Sequence, residues 1–410
     1  MSDRFASDRF ASDRCITLVL VDGAGRRLGA LAAFPVSVPY WPETAEIVEQ
    51  ARTRFGLDVA VLRILATERL VPHGGAVTYL GQIDPAQLRR RLELTPVEVD
   101  LSPHPLRAPY AQRGGPAASL EWARRALAAR GDDPVLDWTQ QRTWNLSAIW
   151  RLQTPRGPVW LKQVPRFFGH EPRLVTWLAG HGFAASVPHV LAHDGERMLL
   201  DHIAGEDLYG APDAVRVEVA GQLHPIQVHA SNYIDDLRHL GVPDHRPAEL
   251  IRRCTDVVRR HGAGEPRLAN LVAGLAERLR RVTECGLPDT LVHGDLHPGN
   301  VRGEVTGGTG SRVIIDWGDS SVGHPAFDVL RLSEDAAAPD ALLAGWADQW
   351  RSTVPGCDPL TAVDLLRPVA ALRAAATYAA FLDQIEPSEH AYHAADVPYW
   401  LTRAADLAPA

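Results

Sequence analysis

The stretch "LVHGDLHPGNV", residues 291–301, taken with "RVIIDWGDSSVGHPAFDVLRL", residues 312–332, decides how this chain is read. Four residues separate Asp295 from Asn300, and Asp316 closes an apolar run with the look of a short strand. These residue types suit more than one chemistry, phosphoryl transfer among them. A hydroxyl attacking a terminal phosphate needs a carboxylate to orient it and accept its proton, and a divalent cation on the phosphates needs hard oxygen ligands. Asp295 can supply the first. Asn300, a neutral oxygen donor, and Asp316, an anionic one, can supply the second.

Upstream, "VWLKQVP" (159–165) holds Lys162, the only lysine among 42 basic side chains. A composition rich in Ala, Arg, Pro and Gly accounts for the scarcity of lysine but not for its survival here. A compact ammonium on a flexible stem meets phosphate oxygens as a point charge, which the planar guanidinium fork of arginine does not reproduce. Lys162 falls on the second strand of a hairpin, "TWNLSAIWRLQTPRGPVWLKQV" (143–164), that turns at Pro155-Arg156-Gly157-Pro158. Next, "HEPRLVTWLAGHGF" (170–183) places Glu171 at the head of a Pro-started helix with Leu174, Val175 and Leu178 on one face. One more strand, in "RMLLDHIAGEDL" (197–208), breaks at Gly205, and the chain from about 211 reads as mostly helical.

The front of the chain differs. "MSDRFASDRFASDRC" repeats a five-residue unit, and residues 1–14 read as a disordered tail. From 15 to 101 the pattern is α+β: a hairpin signal at Asp22-Gly23-Ala24-Gly25, a helix in "ETAEIVEQARTRFGL" stopping at Gly56, then strands in "VAVLRILATERLV" and "AVTYLGQI". Residues 102–139 read as a Pro/Gly-rich linker, "SPHPLRAPYAQRGGPAA", and a helix capped by Ser119 that ends at Gly131.

The bulk composition narrows the partners. With 46% hydrophobic and 22% charged residues and a net charge of −8, the chain reads as soluble and globular, without the basic runs that bind nucleic acid. Its four cysteines form no C-x-x-C pair, so neither a disulfide scaffold nor a zinc ribbon is indicated, and a cytoplasmic location fits. No apolar stretch approaches a membrane span and no signal-peptide pattern opens the chain. Oligomeric state stays open.

The D-x-x-x-x-N spacing at Asp295 and Asn300 and the I-D-x-G strand at Asp316 resemble a kinase catalytic loop and metal strand. Over about 140–410 the order of hairpin, lysine strand, glutamate helix, hinge, H-G-D-x-x-x-x-N and I-D-x-G is similar to the aminoglycoside phosphotransferase-type small-molecule kinases of the protein-kinase-like superfamily. The resemblance implies a two-lobed α+β fold, with a small β-rich N-lobe (140–204) and a mostly helical C-lobe (205–410) carrying the substrate site. It implies ATP or GTP with Mg²⁺ as cofactors, and a hydroxylated small molecule as substrate, an antibiotic or related natural product. It also implies roles: Asp295 as base with His293 bracing the loop, Asn300 and Asp316 as metal ligands, Lys162 on the phosphates with Glu171 as its partner, Asp201 to Ile203 as the hinge reading the adenine edge, and Asp328 as a structural aspartate. The nucleotide loop "TWNLSA" lacks G-x-G-x-x-G, leaving Ser147 as the phosphate-contact candidate, and His324 stands where the family often has Asp before Pro. The helix of residues 15–101 is similar to that of a Nudix domain, yet Gln50, Thr53 and Arg54 occupy the places of its metal-binding glutamates, so a structural or substrate-shaping role is expected.

Two other readings compete. "HGDLH" offers His293, Asp295 and His297 at the spacing of a metal-dependent phosphoesterase, although that leaves Lys162 unexplained. A catalytically weak kinase-like binding module is the second. His297 is expected to pack or hydrogen-bond locally, and Trp144 and Trp150 to lie in the core. Asp364, Asp383, Glu386 and Glu389 could meet a polyamine substrate, but a solvated helix face is the preferred reading.

Overall fold

A computed structural model describes residues 14–88, 92–132, 134–304 and 312–408. The expected tail lies outside these residues except for Arg14, which is a correction: Arg14 is not tail but the first residue of strand β1 (Arg14–Val21), and it is fully buried. Its guanidinium donates to the carbonyls of Val38 (2.8 Å), Trp41 (3.1 Å) and Glu43 (2.8 Å) and to the Tyr79 hydroxyl (2.9 Å), so the buried charge is fully hydrogen-bonded.

β1 turns through Asp22–Gly25 into β2 (Arg27–Ala30) and also pairs with β3 (Phe34–Val36), both antiparallel. Helix α1 (Ala45–Gln50) runs on through a wider turn to Phe55 and stops at Gly56, whose φ of 70° is the left-handed conformation a glycine C-cap tolerates. β4 (Ala60–Thr67) and β5 (Gly75–Gln82) complete the sheet, in the order β2-β1-β5-β4, with β1 and β5 parallel.

Helix α2 (Gly115–Ala129) starts four residues earlier than Ser119. Ser119 is not its cap: it is buried inside the helix, where its hydroxyl meets the Gly115 carbonyl (2.9 Å) and Gln163 Oε1 (2.5 Å). Nor is the preceding segment a loose linker, since Tyr110 and Ala111 are buried. Leu120, Ala123 and Leu127 of α2 pack against Trp150, Leu161 and Leu199 of a second sheet. That sheet is antiparallel throughout, in the order β6-β7-β8-β10-β9: β6 (Asp137–Trp144), β7 (Ser147–Thr154), β8 (Gly157–Gln163), β9 (Val190–His193) and β10 (Arg197–Asp201). Between β8 and β9 runs α3 (Glu171–Leu178), with Leu174, Val175 and Leu178 buried as the periodicity requires.

Beyond β11 (Glu206–Asp207) the chain is mostly helical: α4 (Asp213–Ala230), α5 (Ile234–His239), α6 (Pro247–His261), α7 (Pro266–Ala273) and α8 (Leu275–Glu284). Four short strands follow, β12 (Thr290–Val292), β13 (Val301–Gly303), β14 (Val313–Ile314) and β15 (Ser321–Gly323), then α9 (Ala326–Leu332), α10 (Pro339–Thr353), α11 (Pro359–Gln384) and α12 (Asp396–Leu407). α11 is long and apolar enough to cross a membrane, which the sequence reading overlooked; more than half of its apolar window is buried inside the protein, among residues such as Leu366, Leu372 and Ala375.

The front unit is joined to the rest by a continuous core. Trp41, Ile47 and Tyr79 belong to one buried cluster with Trp144, Met198, Phe381 and Tyr392. A buried ion triad reinforces the joint: Glu386 lies 3.3 Å from Arg63 of β4 and 2.7 Å from Arg107 of the segment before α2.

Candidate functional site

Two short ladders assemble the site. β12 pairs with β15, bringing the loop at 293–300 beside residues 316–320, and β13 pairs with β14, setting Asn300 against Ile315, whose amide donates to the Asn300 carbonyl at 2.9 Å. Gly294 sits at φ 93°, and a Cβ there would stand 2.1 Å from the Asp319 carbonyl, so the two loops approach too closely for any other residue. Asp328 at the head of α9 clamps the loop: its carboxylate accepts from the amides of His293 (2.8 Å) and Gly294 (2.9 Å) and from Gln227 Nε2 (2.9 Å).

Lys162 reaches out of β8 between two carboxylates. Its Nζ donates to Glu171 Oε1 and Asp316 Oδ1, both at 2.6 Å. Burial alone would lower the ammonium's pKa, but the flanking carboxylates reverse the sign and raise it, so Lys162 stays charged at any physiological pH. Glu171 sits fully buried at the first position of α3 and also accepts the Trp317 amide at 3.1 Å; burial holds its pKa above the usual value against the pull of Lys162. Asp316 lies in the left-handed region, φ 65° and ψ 60°, which an L-residue adopts at a cost and which turns its half-exposed carboxylate into the cleft between the lobes.

Asp295 is placed by three neighbours: Arg331 Nε donates to Oδ1 at 2.8 Å, Asn300 Nδ2 lies 3.3 Å from Oδ2, and His297 Nε2 lies 3.5 Å from Oδ2. Asn300 also donates to the Asp295 carbonyl (2.9 Å), which commits its Nδ2 and leaves Oδ1 as the atom a hard cation would use. The donor set of one amide oxygen and one anionic carboxylate fits Mg²⁺ bound to phosphates, which takes few protein ligands. His293 is wholly buried and touches nothing in the cleft; its Nε2 donates to the Ile315 carbonyl at 3.0 Å, so it braces the loop. His297 accepts the Gly299 amide through Nδ1 at 3.1 Å. Among the described residues, His293, Asp295 and His297 of "HGDLH" do not form a group that could hold a metal ion.

Ser147 is buried and its hydroxyl accepts Trp144 Nε1–H at 3.1 Å; it follows a two-residue turn, Asn145-Leu146, tied down by Asn145, which donates to the Glu389 carbonyl (3.4 Å) and meets His393 Nε2 (3.0 Å). In the stretch expected to form the hinge, the Asp201 amide donates to the His189 carbonyl at 3.1 Å. Asp364 and Asp383 do lie on the surface, paired with Arg367 and Arg260, but Glu386 and Glu389 are buried rather than solvated. Burial and the neighbouring Glu386 push the Glu389 carboxyl up to about 8. Trp150 is core as expected, whereas Trp144 also borders a cavity.

That cavity, of about 120 Å³, opens beside Asp295. Its walls come from the helical lobe, from the Trp144–Leu146 turn and from Pro42, Pro72 and His73 of the front unit. Arg331 and Asp319, both on its lining, carry no motif visible to sequence reading; the run "DVLRL" that begins at Asp328 was the one available signal for the first. Burial and the nearby Asp295 charge raise the Asp319 carboxyl to about 7.

The sequence model described as the phosphotransferase enzyme family matches residues 138–363. No curated protein matches the chain by sequence. Among solved structures, a protein of Ralstonia eutropha JMP134, provisionally described as an aminoglycoside phosphotransferase, is 17% identical with a TM-score of 0.51, the match covering 72% of this chain and 99% of that one. A choline kinase of Streptococcus pneumoniae is 14% identical with a TM-score of 0.49, covering 70% and 98%. A macrolide 2'-phosphotransferase of Brachybacterium faecium is 18% identical with a TM-score of 0.46, covering 70% and 97%. At 17% identity the likeness to the first is one of fold: a small β-rich lobe and a mostly helical lobe, as in protein kinases.

Proposed function

Because this chain belongs to the phosphotransferase enzyme family, we propose that it moves the terminal phosphoryl group of ATP or GTP, held with Mg²⁺, to a hydroxyl of a small natural product, antibiotics being the first class to test. The observation that carries this reading is the meeting of Asp295, Asn300, Asp316 and the chain's single lysine in one cleft. Lys162, steadied by Glu171, contacts the nucleotide phosphates as a point charge. Asn300 and Asp316 would hold the cation, which would offset phosphate charge. The Ile203 amide meets the base edge, and Ser147, whose hydroxyl hydrogen is uncommitted, is the phosphate contact at the hairpin turn. Asp295 orients the acceptor hydroxyl and takes its proton as the new P–O bond forms and the bond to the β-phosphate oxygen breaks. Arg331 and Asn300 keep that carboxylate aimed.

The test is a mass-shift screen of natural-product alcohols with Mg·ATP and Mg·GTP, repeated with Asp295→Ala. The variant is expected to lose at least about 10²-fold in turnover while melting at the wild-type temperature, since general base catalysis is worth roughly that much. Retention of more than about a tenth of the activity would show that another group is the base.

A further inference from the structure

The sheet that carries Lys162 has a neighbour on its outer edge. β6 pairs with β7 on one side; on the other, residues 42–44 of the front unit run antiparallel to it. The Thr143 amide donates to the Pro42 carbonyl (3.0 Å) and the Thr44 amide to the Gln141 carbonyl (2.9 Å). The Gln140 side chain fastens the same edge to β4, donating to the Val61 carbonyl and accepting the Val61 amide, both at 2.8 Å. The front unit is thereby joined to the strand that leads into the hairpin turn at Asn145-Leu146.

Register then lines up one row of side chains. Glu43 stands opposite Arg142, Arg142 opposite Ile149, and Ile149 opposite Lys162. Directly opposed residues project from the same face of a sheet. Arg142 therefore shares the cleft face with Lys162, two strand spacings or about 10 Å away. A bulge at Gln141 brings this about: Gln140 pairs with Trp150 and Arg142 with Ile149, so the two side chains leave opposite faces although only Gln141 separates them.

Arg142 is held but not saturated. Its Nε (2.9 Å) and Nη2 both donate to Glu43 Oε1, and among the described residues Nη1 has no hydrogen-bond partner. The side chain is 33% exposed. Burial would lower the guanidinium's pKa, but Glu43 and then Asp316 raise it; in return, Arg142 joins Lys162 in holding the Asp316 carboxyl below its ordinary range against burial. A magnesium-bound triphosphate still carries net negative charge, and a guanidinium binds phosphate oxygens through paired N–H groups. The turn "TWNLSA" has no glycine through which backbone amides could approach the phosphates closely, so a charged side chain on this strand supplies what the loop does not.

We infer that Arg142 is a second phosphate-binding cation of the nucleotide site, its guanidinium aimed by Glu43, so that the front unit takes part in nucleotide binding through the edge of β6. The inference rests on the phosphotransfer reading above and adds to it a residue that no motif marks.

The experiment measures binding of Mg·ATP and Mg·GTP to the full chain by calorimetry, with no acceptor present. Arg142→Gln is expected to weaken the triphosphate that the wild type binds by at least about tenfold on the folded fraction, the worth of one charge-assisted contact, and Arg142→Lys to recover most of that loss. A lower melting temperature with unchanged affinity is what a purely structural ion pair gives, and it overturns the inference; if Lys162→Ala loses affinity in the same assay, the nucleotide reading stands. Failure of the wild type to bind either triphosphate overturns both. A second readout needs no variant. Phenylglyoxal modifies open guanidinium groups, and the bound triphosphate should slow modification of the peptide carrying Arg142 in proportion to the fraction of protein occupied. Modification of Arg142 at the same rate with and without saturating triphosphate overturns the inference on its own.

Discussion

Two buried ion clusters of opposite composition sit in this molecule. In the cleft, one ammonium stands between two carboxylates, Glu171–Lys162–Asp316; at the joint of the three structural units, one carboxylate stands between two guanidinium groups, Arg63–Glu386–Arg107. The second is complete, since both Glu386 oxygens are taken, with Arg107 Nε at 3.0 and 3.1 Å and Nη2 at 2.7 Å. The first is not: Glu171 Oε2 is buried without a partner and the Asp316 side chain is half exposed. A saturated cluster holds a structure together. An unsaturated one, with Asp316 half exposed and Glu171 incompletely paired, has the perturbed carboxylates of a candidate functional site.

Substitutions can break the comparison from either side. The largest effect is expected at the joint: Glu386→Ala leaves two buried guanidinium groups facing each other and should destabilise by about 3–5 kcal/mol, read by chemical denaturation. The folded fraction should keep its ATP kinetics, and a parallel rise in the KM for ATP would show that the joint and the cleft are one system. Lys162→Arg reverses the pattern. Charge is kept but the planar fork does not fit between the carboxylates, so kcat/KM for ATP, measured on the folded fraction, should fall at least about 10²-fold, equivalent to roughly 2.7 kcal/mol of transition-state binding. Near-normal ATP kinetics in that variant would make the lysine an accident of composition.

The mildest change sharpens the contrast through pH. Glu389, beside the joint, has a folded pKa raised to about 8 from an ordinary value of 4.5, chiefly by burial. A raised carboxyl binds its proton more tightly in the folded state, so its contribution to stability is full below the unfolded pKa and is lost as pH rises toward the folded one. Glu389→Gln mimics the protonated form. It should melt with the wild type near pH 5 and a few degrees higher at pH 9. Equal melting temperatures at both pH values would mean that Glu389 titrates alike in the folded and unfolded chain.

The cleft was legible because its chemistry is local in sequence. The five-residue step from Asp295 to Asn300, the strand ending at Asp316, and a lone lysine nine residues before Glu171 are all visible as spacing. The joint was not, because 279 residues separate Arg107 from Glu386 and nothing in "QIEPSEHAYH" distinguishes a buried acid from a solvated one. Ser119 was misjudged as a cap because Gly114, in the left-handed conformation at φ 77°, ends the preceding turn and lets the helix start earlier. Arg14 was assigned to the tail because it falls within the repeated five-residue unit, and its burial is made tolerable by the carbonyls of residues 38–43, which folding brings close. The cavity walls come from elements far apart in the chain and had no sequence signature at all.

The joint also orders the life of the chain on the ribosome. Arg63, Arg107 and the turn at Asn145 emerge early, but Glu386, Glu389 and His393, which they contact, come near the end. At about 5–20 residues per second, the 279 residues between Arg107 and Glu386 take roughly 15–55 s to make. For that interval the apolar face bearing Trp41 and Tyr79 lacks Phe381 and Tyr392, which cover it in the folded chain. The newborn protein therefore passes through a stage with one side of its first-made core uncovered, and the chamber beside Asp295 closes only when the last helices arrive.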